Sequence, residues 1–279
     1  MSERGWHAQL TLRYRRDGER CIAHDLHEGP LRVLQPLYPE GPGICHHVVV
    51  HPPGGVVGGD TLHLGAELAD GCHALITTPG ATRFYRSEGA PAQQQVQLAL
   101  HGASRLEWLP MEAIAYSGCI AASAVQMTLA PAAQMIGWDL LALGLPAAGR
   151  PFAAGRFTQQ LQLPGVWLER GCIAAADTVL RDGGAGLAGH SVLGTAWFAA
   201  GSALPQALRE ALLDGARAAI TTSPLAATAG ATSPQAPLVL LRVLSHGVEP
   251  AMQLLAAVRA AWRQAAWGLT AAPPRIWTT

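Results

Sequence analysis

Between about residue 31 and residue 200, apolar and polar positions alternate along the chain with a period of two. The segment 61–68 is the clearest case, because Leu62, Leu64 and Leu68 alternate there with polar residues or glycine. Alternation places the apolar side chains on one face of a strand. Each such segment is therefore predicted to be a half-buried β-strand.

Turn sequences such as Asp70-Gly71, Pro79-Gly80 and His101-Gly102 separate these strands. A strand, a short turn and a second strand recur about every 30 residues, as a weak internal repeat. Hairpins placed side by side form an extended layer, and two such layers bury each other's apolar faces. The pattern predicts a mainly-β fold of stacked antiparallel hairpins in two packed sheet layers, arranged as a sandwich or a solenoid.

Two α-helices are predicted near the C-terminus, over residues 205–220 and 250–267. In each, apolar residues recur at helical spacing and form one stripe. Arg259 and Arg263 lie off the stripe of the second helix, and Gly268 is placed to cap its C-terminus. This pattern is typical of helices that cover one face of a larger body.

The segment 238–244 suits one more strand, and residues 221–237, rich in Ala, Thr, Ser and Pro, suit a long loop. The chain is interpreted as one domain over residues 1–279. It consists of a β-hairpin body (about 1–200) and a helix-strand-helix part (about 201–279).

Composition indicates a folded protein with an unusually uncharged surface. Hydrophobic residues make up 49% of the 279 residues, charged residues make up 14%, and the formal net charge is zero. A nucleic-acid-binding protein normally carries a basic stripe. The one arginine cluster, at Arg13, Arg15 and Arg16, is typical of a solvated strand face, so no nucleic-acid partner is expected.

The five cysteines are scattered and never form a C-x-x-C pair, which argues against a disulfide framework or a structural zinc site. The N-terminus has no apolar signal region, and no apolar run reaches membrane-spanning length. The sequence therefore predicts a soluble cytoplasmic protein without a membrane partner.

Three ordered motifs resemble those of the UreD (UreH) family. They are the glycine loop Pro52–Asp60, the segment Thr77–Ser87 and the segment Leu106–Ile114, and the closing Pro274–Trp277 agrees as well. Mild departures occur, such as Met111 where the family usually has Gln. The resemblance spans roughly residues 31–277.

The resemblance implies an accessory protein without catalytic residues. Members of the family bind the urease apoprotein together with the accessory proteins UreF and UreG, and the complex delivers nickel to urease. The family's fold is mostly β with two helices, and it is thought to offer an internal hydrophilic passage. The resemblance thus implies transient Ni²⁺ and no tightly bound cofactor.

The glycine loop is predicted to be a tight turn. A phosphate-binding loop needs a following helix and usually a lysine, whereas an alternating strand follows here and the chain has no lysine. Asp60 is expected to bind backbone N–H groups at the end of the loop. The structural turn glycines are Gly54, Gly55, Gly58, Gly59 and Gly80.

Polar residues near strand ends have two interpretations. A buried carboxylate requires a partner or contact with water. Arg83, Arg86 and Arg170 can supply ion pairs, which is one interpretation; the other is a wet path that offers oxygen ligands to Ni²⁺ without retaining it. The candidate path residues are Asp60, Thr77, Ser87, Glu107, Glu112, Asp139 and Glu169.

Histidine is the usual ligand for nickel, but the histidines here do not predict a tight site. Cys45, His47 and His51 share one face of a strand and His46 lies on the other. Their spread along the strand is too large for one ion, so packed or exposed histidines are favoured over ligands. No residue is therefore assigned as a ligand of a bound metal ion.

Partner recognition is assigned to Phe84, Tyr85, Arg86 and Trp108, since aromatic side chains bury a large area with little loss of entropy. For Trp108, ordinary core packing is an equal alternative. Two other functions stay open: a metal-dependent hydrolase with carboxylate and histidine ligands, and a purely structural partner protein without an ion path. No hydrolase motif supports the first.

Overall fold

The computed structural model describes residues 5–278. It is built mainly from strands, which are connected by short turns. In chain order the strands are β1 (His7–Asp17), β2 (Arg20–Glu28), β3 (Arg32–Val33), β4 (Ile44–Val50), β5 (Thr61–Leu68), β6 (His73–Thr77), β7 (Thr82–Phe84), β8 (Ala92–Leu100), β9 (Arg105–Leu109), β10 (Ala113–Ala115), β11 (Ile120–Leu129), β12 (Gln134–Leu145), β13 (Arg150–Pro151), β14 (Arg156–Leu163), β15 (Trp167–Ala174), β16 (Val192–Ala200), β17 (Ala229–Gln235) and β18 (Leu238–Ser245).

The helices are short or lie near the C-terminus. They are α1 (Thr178–Asp182), α2 (Gln206–Thr222) and α3 (Val248–Trp267), and 3-10 turns occupy Pro146–Ala148 and Arg275–Thr278. Gly268 ends α3 in the left-handed conformation, with a φ of 64°. The two predicted C-terminal helices and the strand between them are confirmed. The predicted loop 221–237 is wrong in part, because β17 forms there and pairs with β18.

The strands form two sheets. The first sheet has seven strands in the order β15-β14-β11-β8-β5-β1-β2. The second sheet has the main order β17-β18-β16-β12-β9-β6-β4-β3, with β7, β10 and β13 attached at its side. The mainly-β prediction with two packed layers is confirmed, and the stacking is solenoid-like.

Strand pairing differs from the predicted antiparallel hairpins. Strands such as β5 and β6, or β8 and β9, follow one another along the chain but lie in opposite sheets. The neighbours in the middle of each sheet are parallel, in the orders β1-β5-β8-β11-β14 and β4-β6-β9-β12, whereas the edge pairs β1-β2, β14-β15 and β17-β18 are antiparallel hairpins. Alternation of apolar residues reveals the buried face of a strand but not its pairing partner. The Asp70-Gly71 and His101-Gly102 turns connect one sheet to the other.

The parallel strands are stacked in register. On the first sheet Leu64, Val96 and Val125 are neighbours across β5, β8 and β11, and all three side chains are buried between the sheets. Each turn of the coil thus repeats the inward-facing row of the turn before it. This repetition produces one extended apolar core.

A second core lies on the other face of the second sheet, which α2 and α3 cover. Trp138, Phe198, Leu241 and Trp262 are fully or almost fully buried there. The indole N–H of Trp262 donates to the Leu212 carbonyl at 2.8 Å, and this bond holds α3 against α2. The helices therefore form a third layer on the sheet.

Two arginines of α3 point into this layer, which corrects the expectation that they lie off the buried face. Arg259 and Arg263 are 2% and 0% exposed. The Arg259 Nε donates to Glu107 on β9 at 2.6 Å, and the Arg263 Nη2 donates to Glu40 at 2.6 Å. The sequence pattern missed them because an arginine at such a position is usually solvated.

Histidines complete the network. The Nε2 of His73 lies 3.3 Å from the Glu107 carboxylate, and that of His46 lies 2.8 Å from Glu40. Burial alone would raise the pKa of Glu107, but the hydrogen bond with His73 and the charges of both arginines outweigh it and lower the pKa to about 2. Two carboxylates and two guanidinium groups thus balance each other under α3.

No helix in the described part of the chain is long and apolar enough to cross a membrane.

Replacement of Glu107 by alanine is expected to destabilise the fold strongly, because it leaves two buried guanidinium groups without this partner. The expected loss of unfolding free energy is about 3–5 kcal/mol. Urea denaturation followed by tryptophan fluorescence measures it. The control is Glu210→Ala on the exposed face of α2, for which a change within about 0.5 kcal/mol is expected. Equal denaturation midpoints for both variants would contradict the structural role of Glu107.

Candidate functional site

The glycine loop Pro52–Asp60 packs closely on the segment that follows β7. A Cβ atom on Gly55 would lie 2.1 Å from the ring of Tyr85, and one on Gly58 would lie 2.3 Å from the Ser87 Oγ. Larger residues at both positions would push the two segments apart. Glycine is therefore required here for close approach.

The turn itself is closed by Asp60. One carboxylate oxygen of Asp60 accepts from the Val57 N–H at 2.9 Å and the other accepts from the Trp6 N–H at 2.8 Å. The predicted bonds between Asp60 and backbone N–H groups are confirmed. Gly54 and Gly59 have φ values of 78° and 95°, which favour glycine. Among the predicted turn glycines, Gly80 alone has neither a positive φ nor a close neighbour.

All three motifs meet at one end of the space between the sheets. The Met111 N–H donates to the Thr78 Oγ1 at 2.9 Å, and the Thr82 N–H donates to the Glu112 carbonyl at 2.9 Å. These bonds join the second motif to the third, while Val56 forms a β-bridge with Phe84 and joins the first motif to the second.

A cavity of about 200 Å³ lies inside this junction. All three motifs contribute to its wall, and so do the inner faces of β5 and β8. Its lining is mainly apolar residues and glycine, and the polar or charged residues in it are His51, Thr78, Thr82, Arg83 and Gln94. The residues that carry the family resemblance are thus brought together around one cavity.

A row of polar side chains leads away from the cavity. Gln94, Ser123 and Gln159 are register partners on β8, β11 and β14, and each lies on the inward face of its strand, two residues away from core residues of the same strand. We call these three residues the polar row. Two strand spacings of about 4.8 Å separate its ends, which gives a length of about 10 Å through an otherwise apolar core.

The polar row ends at Asp139 on the second sheet. The Gln159 Nε2 donates to the Asp139 Oδ1 at 2.5 Å. Asp139, Thr195 and Arg242 are register partners on β12, β16 and β18, and Arg242 forms an ion pair with Glu169 on β15 of the first sheet. We call Asp139, Glu169, Thr195 and Arg242 the carboxylate cluster.

The cluster connects the interior to solvent. The side chain of Arg242 is 58% exposed and that of Glu169 is 28% exposed. Burial raises the pKa of Asp139 to about 6; the negative charge of Glu169 adds to the rise, and the hydrogen bond from Gln159 opposes it. The charge of Asp139 therefore changes near pH 6.

The structure brings together only some of the predicted path residues. Asp139 and Glu169 share the carboxylate cluster, and Asp60 lies close enough to the cavity for its charge to affect His51. Ser87 is tied to its own loop by a hydrogen bond to the Ala90 carbonyl. Glu112 is half-buried within the third motif, and its backbone carbonyl accepts a hydrogen bond from the Thr82 N–H of β7.

Thr77 and Glu107 lie on the opposite face of the second sheet, toward the helices. The Thr77 Oγ1 donates to the Leu109 carbonyl at 2.6 Å and accepts from the Trp277 indole at 2.8 Å. Glu107 belongs to the ion network under α3. Both side chains point away from the cavity, because odd and even positions of a strand face opposite sides.

The structure corrects the assignment of partner recognition for two of the aromatic residues, Phe84 and Trp108, because both are buried. Phe84 is 0% exposed and packs edge-on against Phe157, and Trp108 is buried beside the cavity. Neither offers a surface to a partner in this structure. Tyr85 is half-buried against Tyr116, and Arg86 is exposed.

The histidines of the fourth strand follow the predicted alternation. His47 faces the space between the sheets, where its Nδ1 lies 2.8 Å from the Tyr14 hydroxyl, and His46 faces the helices. His51 follows β4 on the same side as His47 and lines the cavity. Within residues 5–278, no three His, Cys, Asp or Glu side chains are grouped so that they could hold a metal ion.

Sequence reasoning missed the polar row and the arginine of the cluster. Gln94 and Gln159 occupy inward positions of their strands but sit within glutamine-rich stretches that look like solvated faces. The available signal was that each interrupts the apolar set of its strand. Only the register of neighbouring strands shows that these interruptions coincide.

A family profile and individual related proteins identify the same family for this chain. A family profile described as UreD urease accessory protein matches residues 7–278. The urease accessory protein UreD of Leptothrix cholodnii is 61% identical over 276 residues, which cover 98% of this chain and 99% of the relative. The proteins of the same name from Paracidovorax citrulli and Polaromonas naphthalenivorans are 59% and 56% identical, with the same coverage.

Each of these names describes an accessory protein of urease rather than an enzyme. The comparisons therefore confirm the resemblance read from the three motifs, and they agree with the prediction of a non-enzymatic chain.

The raised pKa of Asp139 predicts a stability that depends on pH. The folded chain holds this proton up to about pH 6, whereas an unfolded aspartate releases it near pH 3.9. The folded state is therefore favoured at low pH, and this contribution is lost as the pH rises from about 4 to about 6. Above that range the charged Asp139 destabilises the fold.

Asp139→Asn keeps an oxygen that accepts from Gln159 but cannot ionise. The difference in unfolding free energy between this variant and the wild type is expected to increase by no more than about 3 kcal/mol between about pH 4 and pH 6. Above about pH 6 the difference is expected to stay constant. Urea denaturation across this range measures the difference. A difference that is independent of pH would contradict the assignment.

Proposed function

Because the chain belongs to the UreD family of urease accessory proteins, we propose that it binds the urease apoprotein together with UreF and UreG and assists nickel delivery to the urease active site. The ion passes between the two sheets of this chain. It enters the cavity under the three motifs, follows the polar row and leaves at the carboxylate cluster.

One observation carries this proposal. Polar groups run from the cavity to the solvent-exposed cluster through a core that is apolar on both sides. Buried polar side chains are retained only when they are bonded or serve a purpose, since an unpaired one destabilises the fold. Gln94, Ser123 and Gln159 in register supply hydroxyl and amide oxygens about one strand spacing apart.

The chemistry of the path favours passage over storage. Neutral hydroxyl and amide oxygens are weak ligands for Ni²⁺, which prefers imidazole. The carboxylates stand at one end, where Arg242 already neutralises Glu169. An ion is thus attracted toward the cluster without meeting a complete set of strong ligands.

The proposal also includes the partners of the chain, the ion and the cellular compartment. The partners are those that the family resemblance implies, and the ion is cargo rather than a resident cofactor. The scattered cysteines fit the reducing cytoplasm, where we expect the complex to assemble. Thr77 and Glu107 are left out of the path, and their contacts serve the attachment of the C-terminal segment and α3.

The test is activation of urease apoprotein by the full accessory complex at limiting nickel, with the metal content of purified urease as the readout. The double variant Asp139→Asn, Glu169→Gln removes both negative charges at the end of the path. A loss of about 1.4 kcal/mol in attraction for the ion would lower nickel incorporation about tenfold.

Copurification of the variant with the urease apoprotein serves as the assembly control, and Glu210→Gln on α2 serves as the matched variant that changes an acidic residue elsewhere. We expect assembly to persist in both and nickel to fall only in the double variant. If nickel content is unchanged while the complex assembles, the chain is a structural partner without an ion path.

A further inference from the structure

We propose that the cavity at the junction of the three motifs is a docking site for a partner protein, which inserts one apolar side chain into it and places a carboxylate on Arg83 at its opening. The inference rests on the proposed function for the identity of the partner proteins, and it names the surface that binds them. It is carried by the lining of the cavity, by an unpaired nitrogen in its wall and by the residues around its opening.

The first observation is the lining. The cavity of about 200 Å³ is walled mainly by apolar residues and glycine, among them Leu62, Val96 and Trp108. An apolar cavity of about 150 Å³ accepts a molecule as large as benzene. An aliphatic side chain has fewer atoms than benzene, so it fits here and leaves volume free for the ion path. Its burial in an apolar pocket favours binding.

The second observation is the unpaired nitrogen. His51 lines the cavity, and its Nε2 is buried without a hydrogen-bond partner among the residues that the structure describes. A buried polar atom that stays unbonded destabilises a fold. Such an atom indicates a partner from outside the chain. A docked segment supplies this partner with a polar group that lies beside its apolar side chain.

The third observation concerns the opening of the cavity. Four of the lining residues are exposed, and we call them the cavity mouth: Gly54, Pro79, Gly80 and Arg83. They belong to the first and second motifs. Two of the segments that carry the family resemblance therefore form a surface that a partner can reach.

Gly80 in the cavity mouth is a glycine that the fold itself does not require. Its φ is not in the left-handed region, and a Cβ atom at this position meets no other atom within 4 Å. Gly54, by contrast, has a φ of 78°, which favours glycine for the turn itself. The missing side chain of Gly80 keeps the mouth open and allows the backbone of a partner to approach closely.

The charge at the mouth selects an acidic partner. Arg83 is exposed, and its guanidinium group forms no hydrogen bond or ion pair with another residue in the described part of the chain. Arginine is enriched at protein interfaces and binds a carboxylate through two parallel hydrogen bonds. Asp60 lies close enough to the cavity for its negative charge to affect His51, which disfavours an anion inside. The carboxylate of the partner therefore belongs at the mouth and the apolar side chain inside.

The experiment coexpresses the tagged full chain with UreF, UreG and the urease apoprotein and measures how much of each partner copurifies per chain. Gly80→Trp places a large side chain over the mouth. We expect the copurified amount of at least one partner to fall about 30-fold, the effect of losing a binding hot spot. Gly80→Ala adds only a methyl group and is expected to bind nearly as the wild type does.

The matched control is Gly230→Trp. Gly230 is exposed on β17, its φ is also outside the left-handed region, and a Cβ atom there meets nothing within 4 Å. This variant is expected to bind all partners as the wild type does. If Gly80→Trp binds as well as Gly230→Trp, the cavity holds only water or a free small molecule, and the inference is overturned.

A second pair of variants tests the charge. Arg83→Glu is expected to lower copurification of the same partner about tenfold, because it repels the carboxylate that Arg83 attracts. Arg150→Glu is the control, since Arg150 is also exposed and its side chain has no bonding partner in the described part of the chain. Added salt is expected to weaken binding of the wild type more than that of Arg83→Glu. Equal binding by the two variants would contradict the inference.

Urea denaturation midpoints show whether each variant folds. If Gly80→Trp has a lower midpoint than its control, the Arg83 pair alone decides the outcome. A wild-type chain that copurifies with none of the three proteins would contradict the proposed function itself. A failure of the ion path alone would appear only in the double variant of Asp139 and Glu169, as normal nickel incorporation in an assembled complex.

Discussion

The in-register parallel pairing of strands from successive turns of the coil is the constraint on which the rest of this structure depends. Each turn of the coil places one strand in each sheet, so position by position the inward face of one strand continues that of its neighbour. Apolar residues repeated in this way give the core between the sheets. By the same rule, polar residues at equivalent positions, Gln94, Ser123 and Gln159, become one continuous row.

Charges as well as apolar packing hold the second sheet against its helices. Arg259 and Arg263 reach from α3 to Glu107 and Glu40, and the partners balance in charge. A buried ion pair adds little net stability but strongly penalises any arrangement that separates its members. The network thus fixes the position of α3, and through it the sheet that forms one wall of the cavity and carries Asp139.

The two faces of the second sheet divide the polar residues by role. Toward the helices, carboxylates are fully paired with arginine and are not available to an ion. Toward the first sheet, the polar groups are mostly neutral, and Asp139 carries a charge that changes near pH 6. In the ion path that we propose, weak oxygen ligands along the way and a charge at the end allow the ion to move on, since a complete set of strong ligands would retain it.

The sequence by itself determined the mainly-β class, the buried face of each strand, both C-terminal helices and the turn closed by Asp60, since period-two and period-3.6 patterns and glycine turns are local properties. It also singled out Asp139 and Glu169, but it grouped Glu107 with them and sought partner anchors in Phe84 and Trp108. Only the tertiary structure decided the parallel pairing, the alignment of Gln94 with Gln159 and the pairing of Glu107 with Arg259, 152 residues away. These depend on contacts between distant segments, and alternation along a strand carries no information about which strand will lie beside it.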